Sequence, residues 1–534
     1  MFFSVLYSLL FGRMSSLRTI GAKVLLLGLM MAAAFPALGA TECVHEAGFS
    51  SPELSGWEIP PEFARVESVD GTPAIRIDVK PESAAGQHLA IRKIDLKPYQ
   101  NRQLYLEYEI KAENVSRPPQ PWNGVKCMLH YKTPGKEVWA SPGEVYGSFD
   151  WKTVLVPAFI PPGVETGTIN LGLQDSSGTV WIRKMRILTE EPPFLLPAGF
   201  RAVYTDRVKK LPVHRGVMSP HVFRPEDMEE LKSWGANLIR WQLTRNWGKA
   251  NSERNLPEYL AWLRSRLDEL DRVLDKCAEL GIKVVIDLHT PPGGRYGDTN
   301  MAIFYETVFR DAFYAVWEEM AKRYRNHPAV WGYDLVNEPV QNRPAQTDYL
   351  SVQYEAAKRI RAIDPETPII IESNHWCTPD SFHQLLPLPL PNIIYQVHMY
   401  APSSYTHQGI GNKWGVQGAT RLIAYPGTVD GRVYDREQLK NDLKPVRDFQ
   451  TKYGARIFVG EFSAVYYAPG AARYIDDLIS IFEEYGWDWS YHAFRESHFW
   501  SVEYTGSAAK PVRAGFDTDR KKVLLKYFRL NGGE

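Results

Sequence analysis

The chain has 534 residues, 44% hydrophobic and 23% charged. That is ordinary globular composition, spread over more length than one typical domain takes up. Its 62 Lys and Arg equal its 62 Asp and Glu, and this neutrality argues against nucleic acid or an anionic membrane surface as the main partner.

In chain order, residues 1–40 read as a signal peptide. Arg18 and Lys23 precede the apolar run Val24–Ala34, and Pro36-Ala37-Leu38-Gly39-Ala40 offers a small-residue cleavage site. The run is short for a spanning helix. Met14 makes a cleaner start than Met1. Thr41-Glu42 separate the cleavage site from Cys43, which disfavours a lipid anchor. The mature chain is expected to be secreted or periplasmic, with no membrane segment. Its four cysteines, Cys43, Cys127, Cys277 and Cys377, show no C-x-x-C pattern, which argues against a cysteine zinc site. Cys43 and Cys127 leave open a disulfide or two buried thiols.

Residues 41–191 alternate polar and apolar side chains in short runs, as in Ala74–Val79, Leu104–Ile110, Thr153–Val156 and Val180–Ile187. Period two with Gly, Pro and Asn between runs predicts an all-β sandwich. Glu190-Glu191-Pro192-Pro193 and Leu196-Pro197-Ala198-Gly199 break the pattern, so 192–212 reads as a linker.

From 213 to 534 the grammar becomes strand, loop, helix. Strands are expected at His214–Met218, Asn237–Gln242, Lys283–His289, Val330–Asn337, Pro368–Ser373, Ile393–Tyr400, Arg456–Phe462 and Trp487–Phe494. Helices are expected at Tyr259–Leu280, Phe304–Arg325, Asp348–Ile363, Glu437–Tyr453 and Ala471–Tyr485, with Gly or Pro stop signals. Eight alternations predict a closed (β/α)8 TIM barrel, an α/β fold. An open nucleotide-binding sheet would carry a Gly-rich turn after its first strand, and none follows Met218.

Active sites of such barrels lie at the C-terminal ends of the strands. Those ends supply Arg240, His289, Asn337, Glu338, Trp376, His398, Tyr400, Glu461 and His492. One buried histidine is commonly a packing residue, but polar groups recurring in register at strand ends are hard to explain that way. Glu338 and Glu461 each end an apolar run, on the fourth and seventh strands. Two carboxylates facing one cleft are the apparatus of glycosidic-bond hydrolysis. The pair fits retention at about 5–5.5 Å separation or inversion at about 6.5–9.5 Å.

The segment from 213 to about 500 resembles glycoside hydrolase family 5, within a clan of retaining (β/α)8 glycosidases. The resemblance rests on Asn337-Glu338-Pro339, on His398 with Tyr400, on Val459-Gly460-Glu461-Phe462, and on Arg240 and His289. It implies Glu461 as nucleophile and Glu338 as acid/base, with Arg240 and Tyr400 beside the nucleophile. It implies Asn337 on the sugar 2-hydroxyl, and His289 and His398 as hydrogen-bonding groups. Neither metal nor cofactor is expected, and the expected partner is a carbohydrate, with oligomeric state left open. One departure stands out. The family places a stacking tryptophan at the end of strand eight, whereas here His492 or Phe494 falls there and Trp500 follows in the loop. Trp247 and Trp376 are further stacking candidates, and 401–435 is a candidate cleft wall.

The N-terminal region resembles jelly-roll carbohydrate-binding modules through Phe149-Asp150-Trp151-Lys152 and Leu171-Gly172-Leu173-Gln174-Asp175. Trp122, Trp139 and Trp151 are read as core or interdomain residues ahead of glycan binders. The expected function is a secreted retaining β-glycoside hydrolase. The alternatives are an exo-acting β-glycosidase on small glycosides, or an inactive carbohydrate-binding protein on the same fold.

Overall fold

The computed structural model describes residues 41–50, 53–120, 122–133, 136–143, 145–190, 193–345, 347–410 and 422–532. The signal-peptide reading of 1–40 and the middle of the 401–435 stretch lie outside the described residues.

The N-terminal part is two antiparallel sheets. One runs in the order Ala64–Val69, Thr72–Val79, Gly178–Glu190, Arg102–Val115, Gly147–Ile160, with Thr41–Ala47 also paired to Gly178–Glu190. The other runs Trp57–Glu58, Gln87–Asp95, Thr166–Gln174, Gly124–Thr133, Lys136–Ala140. Successive strand side chains point to opposite faces. Leu104, Leu106, Tyr108 and Ile110 therefore meet Val125, Cys127, Leu129 and Tyr131 in one shared core.

Two expectations are corrected here. Cys43 is an exposed free thiol and Cys127 a buried one, so the pair is neither a disulfide nor two buried thiols. Trp122 and Trp139 are not core: they are 63% and 49% exposed. Trp139 sits on an edge strand and lies flat on the His130 ring, 3.5 Å away. Trp151 is partly buried under the Arg183 guanidinium at 3.8 Å.

The second part is a closed barrel of eight parallel strands: Arg215–Met218, Leu238–Gln242, Lys283–Asp287, Val330–Asp334, Ile369–Glu372, Ile393–Met399, Arg456–Phe462 and Asp488–Tyr491. The last pairs back to the first. Apolar residues predominate in these runs because both faces are covered. Leu238, Val285, Trp331, Ile370, Ile394 and Phe458 pack together as one cluster, while Ile239, Val284 and Ile286 belong to the larger core that includes the helices.

Helix Leu256–Leu280 starts where the Asn255 side chain accepts the Glu258 N–H, and ends at Gly281 with φ 68°. Two helices expected as continuous are each split. The first divides into Ala302–Tyr305 and Thr307–Tyr324, because Glu306 takes an extended φ of −120°. The second divides into Arg436–Asp442 and Lys444–Tyr453. Pro445 has no N–H to continue the first of these and is accommodated in the first turn of the next.

The segment between the two parts is anchored rather than free. Ala202 N–H donates to the Tyr453 carbonyl, and the Tyr204 hydroxyl to that of Ile393. Glu190, the last residue of strand Gly178–Glu190, accepts from Gln341 Nε2 and from the Ala345 N–H at 2.8 Å. Gln341 lies three residues after Glu338, so the sandwich touches the loop that follows this carboxylate.

Candidate active site

Arg240 is the centre of the site. It is wholly buried in the middle of strand two, where an isolated guanidinium would carry a heavy desolvation cost. It donates to Asp334 at 2.8 Å, Glu461 at 2.7 Å, Glu372 at 3.1 Å and Asn337 Oδ1 at 2.9 Å. Asp287 lies 3.2 Å away. Burial works against its charge, but these carboxylates raise its pKa well above the ordinary arginine value.

One cation cannot neutralise four anions. Burial pushes Asp334 up to about 6 and Glu372 well above the carboxylate range, the latter aided by repulsion from Asp334. Glu461 goes the other way. Burial would raise it, but His398, His492 and Arg240 outweigh that and hold it well below the usual range.

Glu461 is aimed by a local irregularity. Strands six and seven pair Val397 with Val459 but His398 with Glu461, so Gly460 is an extra residue in the ladder. A Cβ on Gly460 would sit 2.4 Å from the Gln396 side chain, which explains the glycine beside the carboxylate. Glu461 Oε1 then faces Arg240, and Oε2 accepts from the Tyr400 hydroxyl at 2.9 Å.

Glu338 follows strand four with a left-handed φ of 50°. Its N–H donates to Glu372 Oε2 at 2.7 Å, and its carbonyl accepts from Arg295 at 2.7 Å. Its Oε1 lies 3.1 Å from His398 Nδ1. Carboxylate oxygens of Glu338 and Glu461 and a ring nitrogen of His398 all lie within 4.8 Å of one another. That trio, and the group Glu372, Cys377 and His398, have spacings that could hold a metal ion.

Asn337 is oriented on both sides. His289 Nδ1 is 2.8 Å from Asp287, and its Nε2 is 3.2 Å from Asn337 Nδ2. A carboxylate on Nδ1 selects the Nδ1–H tautomer, leaving Nε2 to accept from the amide. His289 therefore acts on Asn337.

On the strand-eight side, His492 Nδ1 is 2.5 Å from the Tyr400 hydroxyl and Nε2 is 2.6 Å from Glu496. Both ring nitrogens are engaged within the protein. Burial disfavours the imidazolium, but Glu496 and Glu461 raise its pKa overall. Trp500 packs beside it, 5.5 Å from the His492 ring and 6.0 Å from Tyr400. Trp376 is 36% exposed and Trp247 48%. Arg295 lies between them, 4.5 Å from the Trp376 ring and 5.2 Å from that of Trp247.

Arg240, His289, Asn337, Glu338, His398, Tyr400, Glu461 and His492 thus form one connected network, with Trp500 and Trp376 at its rim. Sequence reasoning missed Asp287, Asp334, Glu372, Arg295 and Glu496. The first three share one position, each being the last residue of its barrel strand.

The family model for cellulase, glycosyl hydrolase family 5, matches residues 208–497, more than half of the chain. The chain belongs to this family. It is a glycoside hydrolase, acting on O-glycosyl bonds. Endoglucanase C of Acetivibrio thermocellus is 28% identical to this family 5 chain over 291 residues, 50% of this chain and 83% of the relative. Cellodextrinase A of Ruminococcus flavefaciens is 23% identical over 267 residues, 49% of this chain and 76% of the relative. A beta-xylosidase of Phanerodontia chrysosporium is 28% identical over 253 residues, 46% and 48% of the two chains.

Proposed function

We propose that this family 5 enzyme is a secreted, retaining β-glycanase that cleaves by double displacement. The observation that carries this reading is the short gap between the Glu338 and Glu461 oxygens, within 4.8 Å. It is close to the roughly 5–5.5 Å carboxyl separation of retaining enzymes and well short of the roughly 6.5–9.5 Å of inverting ones.

Glu461 is the nucleophile. Arg240 and Tyr400 each donate to one of its oxygens, so it is ionised and aimed before substrate arrives. Its attack on the anomeric carbon forms a glycosyl–enzyme ester. Glu338 gives its proton to the departing oxygen and then takes one from the water that cleaves the ester. Asn337 spends one amide proton on His289 and keeps the other for a sugar hydroxyl. Trp376 and Trp500 offer apolar ring faces to sugar C–H surfaces. His492 serves the nucleophile through Tyr400 instead of stacking on substrate.

The names of the endoglucanase and cellodextrinase relatives make β-glucans and cellodextrins the first substrates to try. Residues 1–40 are the basis for proposing export. The test is hydrolysis of a panel of β-glucans, xylans, mannans and short oligosaccharides with product analysis. Wild type should release sugar from at least one of these and Glu461→Ala from none. Equal residual rates in the two would overturn the reading in favour of a binding protein.

A further inference from the structure

The carboxylate of Glu372 has no part in the double displacement, yet it touches both of its glutamates' supports. It is the last residue of strand five and is wholly buried. Its Oε2 accepts the backbone N–H of Glu338 at 2.7 Å. Its Oε1 accepts from Arg240 at 3.1 Å and from the Gln396 amide. We propose that Glu372 is a positioning residue for the acid/base, a rigid carboxylate tying the peptide of Glu338 to the arginine that holds Glu461. This rests on the assignment of Glu338 as acid/base.

The simplest rival explanation is that Glu372 only neutralises Arg240. Arg240 already has Asp334 at 2.8 Å and Asp287 at 3.2 Å, besides Glu461. A further buried carboxylate adds desolvation and repulsion rather than neutralisation, so charge balance does not account for it. Its contact with Glu338 does.

A left-handed backbone is uncommon for a residue with a side chain and persists where its surroundings hold it. Both ends of this one are held: the N–H by Glu372, the carbonyl by Arg295. The direction in which the Glu338 side chain leaves its backbone is set there. His398 adds a second link, with Nε2 3.7 Å from Glu372 and Nδ1 3.1 Å from Glu338. Loss of the tie should therefore misplace the proton donor, and its cost should depend on how much the leaving group needs a proton.

The probes are 2,4-dinitrophenyl, 4-nitrophenyl and phenyl β-cellobiosides, with kcat/KM measured for wild type, Glu338→Ala, Glu372→Gln and Glu372→Asp. Glu338 and Arg240 donate to different oxygens of Glu372, and a glutamine places an NH2 group at one of the two positions. An aspartate keeps the carboxyl group but is too short to span both. Each Glu372 variant should lose about tenfold or more on the phenyl glycoside and under about threefold on the dinitrophenyl one, in the sense of Glu338→Ala. If glutamine prevents folding, the aspartate variant decides alone. An equal loss on all three glycosides, with Glu338→Ala remaining selective, overturns the positioning role and leaves the acid/base assignment intact. A flat profile for Glu338→Ala itself overturns that assignment, and this proposal with it.

Discussion

Replacing Arg240 with methionine keeps most of the side-chain volume and removes the guanidinium that four buried carboxylates share. The structure sets the scale. Arg240 lies 2.7 Å from Glu461, 2.8 Å from Asp334, 3.1 Å from Glu372 and 3.2 Å from Asp287. Removing one partner of a buried ion pair costs about 3–5 kcal/mol. Part of that should depend on pH, with a definite sign. Without the guanidinium, the folded-state pKa values of Asp334 and Glu372 rise further above their unfolded values, so ionising them costs the folded state more. The variant therefore loses stability relative to wild type as pH rises. Asp334 already stands at about 6. A further rise of one to two units is worth about 1–3 kcal/mol between pH 5 and pH 8. Urea unfolding at the two pH values measures this directly. A deficit equal within about 0.5 kcal/mol at both, or a variant as stable as wild type, would show that the network does not depend on its cation.

Three further outcomes follow from single contacts. Burial at the sandwich–barrel contact raises Glu190 from 4.5 to about 7. Stability should fall as pH climbs from the unfolded value to the folded one, by at most about 3 kcal/mol. Thermal melts of Glu190→Gln should lack that slope, and parallel curves would contradict it. Glu496→Gln removes the anion that favours the His492 imidazolium beside Glu461. The acid limb of kcat/KM should then move to higher pH; an unmoved limb would mean that His492 does not tune the nucleophile. Gly460→Ala places a methyl 2.4 Å from Gln396 and should cost about 1–3 kcal/mol in denaturant unfolding as well as activity, whereas a neutral result would mean that Gln396 yields freely.

The eight barrel strands were legible because strands covered on both faces are written as largely apolar runs, and each expected run contains an observed strand. The polar residues just past their ends were legible for the same reason. Asp287, Asp334 and Glu372 were not. An acidic residue closing an apolar run looks like the point where a strand meets water, and only closure of the barrel turns all three inward onto Arg240. Arg295 and Glu496 lie in loops, where no periodicity marks a side chain that turns inward. The N-terminal tryptophans misled in the opposite direction. Trp139 alternates like a core residue, but its strand is at the sheet edge, where part of the ring stays in water.

Covalent trapping addresses the two-glutamate mechanism most directly. A 2-deoxy-2-fluoro-β-cellobioside with a dinitrophenolate leaving group should inactivate the enzyme with one glycosyl unit per chain. Peptide mapping by mass spectrometry should place that unit on Glu461, and proton NMR of a turned-over β-glycoside should show the β-anomer first. A label on Glu338 or elsewhere, or an α-anomer as first product, would contradict double displacement at Glu461.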